Sequence, residues 1–167
     1  MKCILRPGSR IDQGKIYRIT ADDIHRDFSI DSLTSNNRSI IFGGPAPFSR
    51  LDTQQAMEYA SLTDRLLKYV NVVYGIYCQD AFVMKKFDEY IGKEYPNHGV
   101  VFYGDGDAFF ARSYSLEHDF THQGLSIRTG RYAMVLKNQI VEHISLDDYS
   151  VIEDTSAEAI LKWLESN

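Results

Sequence analysis

Apolar positions along the chain change spacing several times. Short apolar runs occur at 39–42 (S-I-I-F), 71–77 (N-V-V-Y-G-I-Y) and 100–103 (V-V-F-Y). Runs of this length, rich in β-branched and aromatic residues, predict buried strands. Between them the period lengthens. Residues 52–69 place Ala56, Tyr59, Ala60, Leu66 and Leu67, with Val70 just beyond, on one broad face, which predicts an amphipathic helix. Residues 80–91 (D-A-F-V-M-K-K-F-D-E-Y-I) predict a second helix, N-capped by Asp80 and ended by Gly92. A short helix is expected at 107–114.

The pattern then alternates at 132–136 (Y-A-M-V-L) and 139–145 (Q-I-V-E-H-I-S), which predicts a β-hairpin turning through Lys137 and Asn138. T-S-A-E at 155–158 has the form of a capping box and opens a last helix carrying Ile160, Leu161, Trp163 and Leu164. The first 35 residues are polar and irregular, with short strands near 15–20 and one helical turn at 29–33. The order β-α-β-α-β-α, hairpin, α defines an α/β fold with a mixed central sheet covered by helices on both faces. Right-handed crossovers make a thioredoxin-like layout the leading solution. With no repeat or linker in the sequence, residues 1–167 are expected to form a single domain.

Charge and composition narrow the function. A net charge of -5, with acids and bases interspersed, argues against nucleic acid, which calls for a basic stripe. No apolar run approaches the ~20 residues of a membrane span. M-K-C-I-L-R-P-G-S-R lacks the apolar core of a secretory signal, so the expected location is cytoplasmic. Cys3 and Cys78 form no metal-type spacing and are expected as free thiols. His118 and His122 stand four apart, but their setting reads as a solvated polar loop, and no metal is expected. Gly43-Gly44 lacks the remaining signature of a phosphate cradle, and no nucleotide or other cofactor is expected.

The candidate chemistry lies at 40–53, I-I-F-G-G-P-A-P-F-S-R-L-D-T, where a strand enters a turn and a helix leaves it. Ser49-x-x-Asp52 has the spacing of a capping box. Three further stretches follow in order: Q-D-A-F-V at 79–83, Asp105 with Phe110 and Arg112, and R-T-G-R-Y-A-M at 128–134. Together these resemble the peroxiredoxins, specifically the type II, peroxiredoxin-five-like branch of the redoxin group. The resemblance runs from about Ser29 to the C-terminus.

Membership would imply a thioredoxin fold, a role in antioxidant defence and cell redox homeostasis, and a homodimer formed through the active-site face. It would place Pro45 and Ser49 in the active-site turn and Arg131 on the hairpin arginine that favours the reactive thiolate. The peroxide-attacking cysteine of such enzymes would fall at Asp52. The Pro-Thr before that cysteine is Arg50-Leu51 here, and a histidine after it is Ala56. A carboxylate cannot form the sulfenic acid on which that chemistry depends. Two readings follow from the resemblance. In one, the chain is a pseudo-enzyme without peroxidase activity that keeps a small pocket for a polar or anionic ligand beside Ser49, Asp52 and Arg131. In the other, it is an active thiol peroxidase or redox protein that uses Cys78 or Cys3.

Overall fold

The computed structural model describes residues 4–167, so Cys3 lies outside the described residues. In chain order the elements are β1 (Lys15–Ile19), β2 (His25–Ser29), α1 (Ile30–Thr34), β3 (Arg38–Gly43), α2 (Arg50–Leu66), β4 (Val72–Tyr77) and α3 (Ala81–Glu94). They continue with β5 (Val100–Gly104), α4 (Phe109–Ser113), β6 (Glu117–Asp119), β7 (Ile127–Thr129), β8 (Arg131–Lys137), β9 (Ile140–Asp147) and α5 (Ala157–Ser166). Seven strands form one sheet in the order β2-β1-β5-β4-β3-β8-β9. The β3, β4 and β5 strands are parallel, and β8 lies antiparallel to β3. This is the mixed sheet of a thioredoxin-type α/β fold.

Alternation along each strand divides the core in two. Ile40 and Phe42 on β3, Val73 and Tyr77 on β4, and Ala133 and Val135 on β8 share one cluster with α2, α3 and α5. Their neighbours Ile41, Tyr74, Ile76, Tyr132 and Met134 join α1, α4 and Ile11 in the other. The sheet is thus covered on both faces. Stacking of Phe42 on Tyr59, with centroids 3.9 Å apart, seats α2 over the sheet. Gly75 makes room there, because a Cβ on it would meet the Phe102 ring at 2.6 Å.

Several local expectations are corrected. In the N-terminal segment the expected strand and helical turn form as β1 and α1, but an unexpected β2 pairs with β1 as a hairpin that extends the sheet edge through Tyr17 opposite Gly104. Helix α2 begins two residues before Asp52 and ends at Leu66, so Leu67 is the C-cap and is largely exposed. Gly92 continues α3 instead of ending it, and Tyr95 takes the cap. Ser156, not Thr155, caps α5, its side chain accepting from the Ala159 N–H. The hairpin turn is Asn138-Gln139, both in the left-handed region (φ 47° and 73°), as a two-residue hairpin of this hand requires. His118 lies on β6 and His122 on a 3-10 turn, so the two never share a helix face. Among the described residues no helix is long and apolar enough to cross a membrane.

Candidate functional site

The C-terminal ends of β3 and β4, the first turn of α2 and the first residue of β8 converge on one buried polar cluster. Ser49 opens α2 with extended backbone, and its Oγ accepts from the Asp52 N–H at 3.3 Å. The reciprocal half of a capping box is missing. The Ser49 N–H donates to the Ala46 carbonyl, and the Asp52 carboxylate turns inward instead. Its Oδ2 accepts from the Ala46 N–H and the Ser49 hydroxyl, each at 3.0 Å. Its Oδ1 accepts from Nη1 of Arg131 at 2.9 Å. Three donors and the helix N-terminus thus surround the carboxylate.

Arg131 is held as firmly. Nη1 also donates to Gln55 Oε1 at 2.6 Å, and Nη2 donates to the Tyr149 carbonyl at 3.1 Å. Gln55 passes the network on to the Thr155 carbonyl and hydroxyl, and Tyr59 donates to the same carbonyl. The Thr155 hydroxyl ends it by donating to Asp147. Asp52 and Arg131 are 1% and 2% exposed, so this ion pair is not screened by solvent. Two groups in it have no partner among the described residues: Nε of Arg131 and the Tyr77 hydroxyl.

Gly44 is part of the construction. A Cβ at that position would fall 1.8 Å from Asp52 Oδ1 and 2.9 Å from Arg131 Nη1. The backbone therefore lies directly against the ion pair. Pro45 is anchored from outside, its carbonyl accepting from Arg128 at 2.8 Å. Gln79, with its amide oxygen turned toward Arg128, accepts from the same guanidinium at 3.0 and 3.1 Å. Phe48, in the left-handed region, projects outward and rests on Phe87 and Tyr90.

The structure thus brings Pro45, Ser49, Asp52 and Arg131 together. Among the described residues, Arg131 is bonded to Asp52, Gln55 and the Tyr149 carbonyl. Cavities of about 200–510 Å3 elsewhere on the surface have other linings. Gln55, Thr155, Ala46 and Gly44 are site residues that sequence reasoning missed. Gln55 left one signal: a polar residue on the apolar stripe of α2, three positions after Asp52.

Cys78 is elsewhere. It follows β4 directly and packs on the opposite face of the sheet, with Sγ 3.8 Å from Asp105 Oδ2. Burial, and then the neighbouring Asp105 charge, push its thiol up to about 12. At neutral pH almost no thiolate forms there.

A mixed sheet with a helix entrance set against a hairpin arginine defines a thioredoxin-fold protein built around one buried anion–guanidinium contact. No family model matches the chain. Among curated proteins, a peroxiredoxin of Rhizobium etli is 30% identical over 154 residues, covering 84% of this chain and 81% of the relative. Peroxiredoxin-2C of Oryza sativa is 27% identical over 160 residues, covering 94% and 96%. Among solved structures, reduced Prx3 of Vibrio vulnificus in complex with H2O2 superposes with a TM-score of 0.87 at 26% identity, covering 97% of each chain. Peroxiredoxin 5 of Alvinella pompejana, at 21% identity and a TM-score of 0.84, shares the fold. The chain belongs to the peroxiredoxin family.

Proposed function

We propose that this chain is a peroxiredoxin-family protein without peroxidase activity, in which Asp52 stands where its relatives keep the peroxide-attacking sulfur. The observation that carries this reading is the Asp52–Arg131 contact itself. A guanidinium that would stabilise a thiolate is neutralised by a built-in carboxylate, 1% exposed and bonded on every side. Such a site holds the scaffold's charge balance and offers no thiolate to attack an O–O bond. In this reading Asp52 supplies internally the anion that a small polar or anionic ligand would otherwise bring to Arg131.

The rival reading, thiol chemistry at Cys78, is disfavoured by a thiol that is buried, pushed up to about 12 and set against a carboxylate. The test is peroxide consumption with a thioredoxin or dithiol reductant in excess. The expected rate is the free-thiol background, unchanged by Cys78→Ser or Cys3→Ser. Turnover above background that disappears in either variant overturns the proposal.

The same reading keeps the cytoplasmic location and the homodimer. Phe48 and Tyr149, 47% and 44% exposed, flank the turn and the loop over Arg131 and give that face an apolar rim. Light scattering is expected to give twice the chain mass. Phe48→Asp, whose side chain tolerates the left-handed backbone, is expected to give the monomer. A monomeric parent chain, or a dimer indifferent to Phe48→Asp, rejects the assignment of this face.

A further inference from the structure

A cavity of about 510 Å3 lies on the other side of the molecule, between the start of β1 and α4, and shares no residue with the Asp52 cluster. That volume suits a drug-sized molecule. Its walls are aromatic: Tyr17 on β1 and Phe109 on α4, the latter 55% exposed. Gly14 shapes the Phe109 wall. Its backbone (φ +106°) lies so close to the ring that a Cβ would meet it at 3.1 Å. Tyr17 continues the wall outward by stacking on His25, which stacks on Phe82, with centroids 5.6 and 5.5 Å apart. A second cavity of about 200 Å3 runs beside that stack and shares Tyr17 and Asp107 with the first.

The polar groups of the larger cavity are mostly of one sign. Asp12, Asp105 and Asp107 line it. The fourth charged residue, Lys15, lines it too and pairs at the exposed rim with Asp27 at 3.3 Å, leaving the lining with three carboxylates to one ammonium. Asp105 is buried and spends its oxygens on the Phe110 and Ala111 N–H groups at 3.1 and 3.0 Å. Among the described residues, none of the three carboxylates bonds a cationic side chain. Aromatic faces and uncompensated carboxylates attract the same kind of ligand, a cation attached to a flat apolar body.

We propose that this cavity binds a small arylalkylamine, with the ring between Tyr17 and Phe109 and the ammonium toward Asp12 and Asp107. The complementarity of charge and the aromatic walls select this class over anions and over polyamines without a ring. Its validity is independent of the Asp52 reading.

The test is isothermal titration of the full chain with tryptamine, indole-3-acetate and spermidine. Tryptamine is expected to saturate one site, with the other two at least about tenfold weaker. Asp107→Asn and Phe109→Ala, both at exposed positions, are each expected to weaken tryptamine by about two- to fivefold without lowering the melting temperature of the free protein. Absence of saturable tryptamine binding overturns the proposal. So does equal binding of indole-3-acetate or spermidine, or wild-type affinity in both variants.

Discussion

Replacing Asp52 with alanine is expected to destabilise the protein by about 3–5 kcal/mol, the cost of stranding one member of a buried ion pair. Arg131 would keep its bonds to Gln55 and the Tyr149 carbonyl but lose the one carboxylate bonded to it among the described residues. The Ala46 N–H and the Ser49 hydroxyl would lose their acceptor as well. With a urea slope of about 2 kcal/mol/M, the unfolding midpoint should fall by roughly 1.5–2.5 M. The double change Asp52→Ala with Arg131→Met should recover the part of that loss due to the stranded charge, while Gln55 Oε1 and the Tyr149 carbonyl lose their donor. If the single change costs under about 1 kcal/mol, the pair does not hold the turn to the hairpin.

Asp52→Cys has the largest expected effect on activity. A thiolate at this position would face the same three donors, Arg131, the Ala46 N–H and the Ser49 hydroxyl, at the same helix entrance. Its thiol should therefore titrate well below the ordinary ~8.5, by the absorbance of the thiolate, with a midpoint under about 7. Peroxide consumption with excess dithiol should rise above the parent chain's background. A midpoint at or above ~8.5 would mean that Arg50, Leu51 and Ala56, the flanking departures from the pattern the resemblance implies, have altered more than one atom. It would also leave Gln55 as the favoured partner of Arg131.

The sequence made the central strands and α2, α3 and α5 legible because their apolar periods are uninterrupted. It hid β2 (H-R-D-F-S), an edge strand whose first three residues are exposed and carry no alternation. The cap of α5 was misplaced by one residue because Thr155 and Ser156 have equivalent hydroxyls. Asp147 takes the first of them, and only the second remains free to cap. Gly92 signals a helix end only where the backbone turns left-handed, and here it stays right-handed inside α3.

At the site, Pro45, Ser49, Asp52 and Arg131 are reached through the resemblance of short motifs to a family. The network behind Arg131 cannot be read that way. It depends on Gln55 meeting Arg131 and Thr155 across 76 and 100 positions of chain, a juxtaposition that no local pattern encodes.

Long reach also sets an order on how the molecule is made. Arg131 leaves the ribosome 79 residues after Asp52, a delay of roughly 4–16 s at 5–20 residues per second. Through that interval the nascent first half carries a carboxylate with no counter-ion, and it can stay in water until the hairpin emerges. Glu58 faces the same wait for the first amides of α5, which it later caps. The turn on which the proposed function rests therefore cannot close on its guanidinium until the hairpin has been made.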